Sequence, residues 1–81
     1  MINELNTNNK YIGLKQSMGA IEQGTAAKAF LAKDTQPHIR NKIIASCLEN
    51  GVPVEYAETM RGLGEACGID VGAAVVVLLN T

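Results

Sequence analysis

The distribution of apolar residues predicts an α/β fold, a three-layer α/β/α sandwich around a mixed sheet of about four strands. Three observations carry the prediction. Short apolar segments alternate with stretches of helical spacing over residues 11–79, the pattern that sets helices against the faces of a sheet. Helix stop signals, Gly24, Asn50-Gly51 and Gly68, separate them. The last apolar run, residues 73–79, shows no polar alternation, so it is expected to be a strand covered on both faces.

The elements follow in order. Residues 1–9 are polar and rich in Asn, with Ile2 and Leu5 able to support a turn of helix and the Asn-Thr-Asn-Asn stretch favouring a loop. Tyr11-Ile12 is a short strand. From Leu14 the apolar positions Leu14, Met18 and Ile21 take helical spacing, and Gly24 ends the element. Gly19 inside that helix costs about 1 kcal/mol relative to Ala, which raises the suspicion of close packing or a backbone contact there. Residues 27–32 read as a strand centred on Phe30 and Leu31. Asp34-Thr35-Gln36-Pro37 then supplies a helix start, with the capping oxygen expected from Asp34 or Thr35 and Pro37 in the first turn. Ile39, Ile43, Ile44, Cys47 and Leu48 form its apolar face. Residues 52–56 are the next strand. Thr59 is placed to cap a helix whose inner side is Met60, Leu63, Ala66 and Cys67.

Eighty-one residues, 47% of them hydrophobic, are enough for one small domain with a core. Two Tyr, one Phe and no Trp leave that core to Ala, Val, Ile and Leu. Seven basic and eight acidic side chains give a net charge of −1, which argues against extensive non-specific phosphate binding. A small local site on one folded RNA remains compatible with it. Lys10 and Lys15 bracket the first turn, while Glu49, Glu55 and Glu58 lie away from it in sequence. Cys47 and Cys67 are too few for a disulfide-stapled secreted fold, so they are read as buried free thiols. The polar start is unlike a signal peptide, and the longest apolar run falls far short of the ~20 residues that span a bilayer. The expected location is the cytoplasm, with no membrane contact.

Two bends hold the candidate chemistry. Gly13-Leu14-Lys15-Gln16 turns a strand into a helix, whose first N–H groups and positive dipole end suit phosphate or base acceptors. A cation gains nothing from the dipole at that position, so Lys15 is better explained by an anionic ligand, and Gln16 both donates to and accepts from base edges. The second bend, Ile69-Asp70-Val71-Gly72, sets two β-branched side chains in a loop, either as a contact surface or tucked under the preceding helix. His38 has no Cys or carboxylate at metal-ligand spacing, and no nucleophile triad, phosphate loop or zinc-protease run occurs. No cofactor, metal, catalytic residue or small-molecule substrate is therefore expected.

Gly13-Leu14-Lys15-Gln16, Ala32-Lys33-Asp34 with Pro37, Val52-Pro53-Val54, and Leu63-Gly64-Glu65-Ala66-Cys67-Gly68 leading into residues 73–79 together resemble the ribosomal protein L7Ae family. The likeness is strongest to its short bacterial members and covers residues 11–79. It implies a protein that binds kink-turn RNA, a sharply bent element with tandem G·A pairs, and implies the ribosome as a further partner. In the family the glycine turn enters the groove at those pairs, the role the resemblance gives to Gly13, Leu14, Lys15 and Gln16. A second loop packs on a flipped-out nucleotide, the role given to Ile69, Asp70, Val71 and Gly72, with Gln36 and Arg40 nearby. Bacterial relatives carry Lys-Gln like Lys15-Gln16, where archaeal and eukaryotic ones carry Asn-Glu. Three departures stand out: Gly19 in place of a family Lys, Glu22 and Gln23 in place of basic residues, and Gly72 in place of an archaeal proline. The expected function is non-catalytic recognition of a kink-turn. The alternative is a protein-interaction or scaffold module that keeps the fold and has little RNA affinity.

Overall fold

In the computed structural model, which describes residues 3–80, a single 3₁₀ turn (Asn3–Leu5) leads into β1 (Lys10–Ile12), α1 (Leu14–Gln23), β2 (Ala26–Ala32), α2 (Pro37–Asn50), β3 (Val54–Ala57), α3 (Met60–Ala66) and β4 (Val75–Leu79). The strands lie in the order β1-β4-β2-β3. β4 runs antiparallel to both neighbours, and β2 and β3 are parallel, so the sheet is four-stranded and mixed, as the sequence predicts.

The alternation of β2 and β4 builds the three layers. Ala29, Leu31, Val75 and Val77 face α1 and α2, packing with Ala20, Ile21, Ile43 and Cys47. Phe30, Ala32 and Val76 face the other way, onto Leu63 of α3 and Leu5 of the 3₁₀ turn. Val75, Val76 and Val77 are all fully buried, which accounts for the unalternated run. Leu5 is likewise fully buried, and Ile2, the other residue of the expected first turn, lies outside the described residues.

Several local expectations are corrected. The helix at Pro37 is capped by neither Asp34 nor Thr35: its N-cap is Gln36, without a side-chain hydrogen bond. The Asp34 carboxylate accepts from the Met60 N–H (2.8 Å), and the buried Thr35 hydroxyl has no partner among the described residues. Leu48, assigned to the apolar face, is 83% exposed; Ile43 and Cys47 are buried and Ile44 marks the border of that face, leaving Leu48 beyond it. Met60, placed on the inner side of α3, is exposed, because its backbone makes the contacts. Strand β3 begins at Val54 rather than Val52, since the Val52 N–H closes α2 on the Cys47 carbonyl (2.9 Å) and Pro53 offers only its carbonyl, to Ala29 N–H (2.9 Å). Strand β4 begins at Val75 rather than Ala73, whose N–H donates to Met60 (3.0 Å). An ideal Cβ on Gly19 meets nothing within 4 Å, so no close packing explains that glycine.

Thr59 does cap α3, its hydroxyl accepting from the Gly62 N–H (2.9 Å). Neither cysteine is disulfide-bonded; Cys47 is buried and Cys67 half-buried. Burial pushes both thiols up, opposed at Cys67 by the charge of Lys10.

Candidate functional site

The two bends singled out in the sequence share one end of the sheet. Ile12 is paired with Val76, and the next residue, Gly13, donates its N–H to the Val75 carbonyl (3.0 Å). Residues 69–74 lead directly into Val75, so the end of β1 and the second bend are neighbours. The end of β2 lies on the other side of β4, with Leu31 opposite Val75 and Ala32 N–H donating to Ala74 (2.9 Å). Parallel β3 ends level with it, Ala32 opposite Ala57. All four connections β1–α1, β2–α2, β3–α3 and α3–β4 therefore gather at the carboxyl ends of β1, β2 and β3, where open α/β sheets place ligands.

The first bend depends on glycine. Gly13 adopts φ 103°, ψ 163° and contributes no side-chain cap to α1, a conformation that costs an L-residue strain. The first-turn N–H groups thus have no side-chain acceptor and are open to a ligand or water. Leu14 packs against the core, while Lys15 and Gln16 are exposed. Buried Ser17 ties the turn back to β1 through a long hydrogen bond from its hydroxyl to the Tyr11 carbonyl (3.5 Å).

The second bend lies across α3. After Gly68 (φ +76°), Ile69 N–H donates to the Gly64 carbonyl (3.1 Å) and Ala73 N–H to that of Met60 (3.0 Å), pinning both ends of the loop to α3. Between these bonds the chain runs so close to α3 that a Cβ on Gly64 would sit 2.0 Å from the Val71 carbonyl oxygen. The two apolar side chains divide the alternatives: Ile69 is half-buried, whereas Val71 is 69% exposed. Asp70 and Gly72 are exposed.

Gln36 and Arg40 belong to the same end. Gln36 is exposed at the start of α2, and the half-buried Arg40 donates through Nη1 to the Lys33 carbonyl (2.9 Å), leaving further guanidinium donors free. Lys33 is paired with Glu58 (2.8 Å), both exposed, so its charge is largely compensated. Lys15 is in none of the ion pairs among the described residues. Toward the opposite end of β2, Lys28 pairs with Glu55 (2.7 Å) and Glu4 (3.0 Å), and hydrogen bonding to Glu55, then Glu4, raises its pKa.

The backbone donors and Lys15 of the Gly13 turn, the exposed Val71 of the second bend, and Gln36 and Arg40 thus lie at one end of the sheet. The arrangement can grip an anionic backbone and pack against a flat ring. Among the described residues no three His, Cys, Asp or Glu side chains group as metal ligands, and no helix is long and apolar enough to cross a membrane. A groove of about 1030 Å³ lies between the 3₁₀ turn and α3, lined among others by Leu5, Lys10, Tyr56, Thr59, Cys67 and Gly68, the last of which adjoins the second bend. Sequence reasoning missed Asp34, Met60 and Gly64 as the supports of the second bend. The available signal was Gly62 and Gly64 inside a seven-residue helix, two choices that each weaken it by about 1 kcal/mol unless packing requires them.

The architecture is that of a small α/β/α sandwich presenting a loop-built surface at one sheet end. Residues 3–81 match the Ribosomal protein L7Ae/L30e/S12e/Gadd45 family, and the chain belongs to it. It is 45% identical over 67 residues to an RNA-binding protein of Halalkalibacterium halodurans, covering 83% of this chain and 82% of that one. It is 41% identical over 69 residues to the RNA-binding protein YbxF of Geobacillus stearothermophilus, covering 85% and 84%. In fold it is similar to the 15.5kD RNA binding protein of Giardia lamblia, with a TM-score of 0.85 at 22% identity over 95% of this chain and 65% of that one.

Proposed function

We propose that this protein binds RNA without catalysing a reaction, and that its target is a kink-turn. The reading is supported above all by the adjacency of the two bends, linked through the Gly13–Val75 hydrogen bond (3.0 Å). Relatives named as RNA-binding proteins, similar to this chain over most of their length, support the partner class. On this reading the first-turn N–H groups of α1, with Lys15 and Gln16, take phosphates and the edges of the G·A pairs. An extruded nucleotide lies between the 69–72 loop and Gln36 and Arg40, its base packed on Val71. The cytoplasm is the proposed location, and ribosomal RNA a proposed source of the kink-turn.

The charge at this end sets the expected salt dependence. Lys15 and Arg40 are available, Lys33 is compensated by Glu58, and Gly19, Glu22 and Gln23 add no cation along α1. With about 2–3 phosphates neutralised, log affinity falls against log salt with a slope of about −2 to −3. A gel-shift titration over several salt concentrations tests this, comparing a kink-turn oligonucleotide with the same duplex after its G·A pairs are replaced by Watson–Crick pairs. Preference for the kink-turn with a shallow slope is the expected result. Equal affinity for both, with a steep slope, overturns the reading. Gly19, Glu22 and the net charge of −1 favour one second reading, a protein-interaction module, which binds neither oligonucleotide.

A further inference from the structure

We infer that Asp34 is a positioning residue that couples the two walls of the extruded-nucleotide site; this rests on the RNA reading above. Asp34 lies two residues before Gln36 in the β2–α2 connection, yet its carboxylate serves a different element. Asp34 Oδ1 accepts from the Met60 N–H at 2.8 Å, the first residue of α3. Met60 passes the constraint on, because its carbonyl accepts from the Ala73 N–H (3.0 Å) and a Cβ on Gly72 would lie 3.2 Å from the Met60 Cβ. The near end of the 69–72 loop is therefore seated on a residue that Asp34 holds. On the other wall, Arg40 Nη1 bonds the Lys33 carbonyl (2.9 Å), so the short connection at residues 33–36 is gripped by α2 on one side and reaches α3 on the other.

The chemistry requires an acceptor at this position, not a charge facing the nucleic acid. A carboxylate near a phosphate opposes binding, whereas here one carboxylate oxygen is engaged by a backbone donor. Asp34 acts through Met60, and the spacing between Gln36 and Val71 depends on it. The Lys33–Glu58 pair spans the same two connections but joins two exposed side chains, 53% and 84% exposed. It carries little of the coupling.

Two measurements test the inference. In the free protein, amide hydrogen exchange reads the link directly. The Met60 amide is protected in the wild type, exchanges at least tenfold faster in Asp34→Ala, and recovers in Asp34→Asn, which keeps an acceptor oxygen. Affinity for the kink-turn oligonucleotide reads its consequence. Asp34→Ala weakens binding about fivefold at unchanged salt slope, Asp34→Asn stays within about twofold of wild type, and the loss in Asp34→Ala is less than additive with that of Val71→Ala. Additive losses, an Asp34→Asn protein as weak as Asp34→Ala, or an unprotected wild-type Met60 amide each overturn the inference. A wild-type protein that ignores the kink-turn ends the RNA reading alone, and the exchange data still decide the Asp34–Met60 link. If Asp34→Ala does not fold, the wild-type and Asp34→Asn exchange rates carry the decision.

Discussion

Lys15→Glu is expected to weaken kink-turn binding by about 100-fold and to leave the melting temperature unchanged or slightly raised. The size follows from two effects of the same sign. The substitution removes a cation in none of the ion pairs among the described residues, and it puts a carboxylate where a phosphate approaches, the kind of like-charge contact that costs several kcal/mol. A hundredfold is about 2.8 kcal/mol. Stability moves the other way. Lys15 is exposed in the first turn of α1, where an acidic side chain gains about 0.3–1 kcal/mol from the helix dipole. A loss of affinity therefore cannot be put down to unfolding. Titrating both proteins against the oligonucleotide, with thermal melts alongside, checks the prediction; equal affinities remove Lys15 from the interface.

Gly64→Ala is expected to lower stability by about 2 kcal/mol, whereas Gly19→Ala raises it by about 1 kcal/mol. Both glycines sit inside helices, so propensity favours alanine at each. Surroundings decide the sign. Beyond Gly19 there is nothing within 4 Å, and at Gly64 the new methyl would lie 2.0 Å from the Val71 carbonyl oxygen. That oxygen is backbone and cannot rotate aside, so the 69–72 loop must lift from α3. In a domain of this size 2 kcal/mol corresponds to a fall in Tm of roughly 10 °C. RNA affinity should fall with it, because Val71 moves. Denaturation curves of the two variants separate the cases, and a Gly64→Ala protein as stable as wild type contradicts the close approach.

The order and type of the main elements were legible because their signals are local. Apolar period, the stops at Gly24 and Gly51, the Thr59 cap and the unalternated residues before Leu79 each speak for their own segment. The candidate bends were legible for the same reason, as a glycine beside Lys15-Gln16 and as β-branched residues in a loop. Their adjacency was not, because it depends on β4 lying between β1 and β2, a long-range pairing that no local pattern encodes. Asp34 shows the same limit at a single residue: a carboxylate three positions before Pro37 reads as a cap for α2, and only the tertiary fold supplies Met60 as the nearer donor. Leu48 and Gly19 were misread in the opposite sense. Helical spacing assigns a face but not where the neighbouring layer ends, so Leu48 is exposed. A glycine in a helix suggests crowding, yet Gly19 faces open space.

Backbone amide mapping by NMR during titration with the kink-turn oligonucleotide tests the account most directly. The amides of Gly13, Leu14, Lys15 and Gln16 and those of Ile69, Asp70, Val71 and Gly72 should shift together, at the same RNA ratio, while those of Leu5, Asn6 and Thr7, on the far wall of the groove, stay in place. Perturbation of only one bend, or of that groove alone, contradicts it.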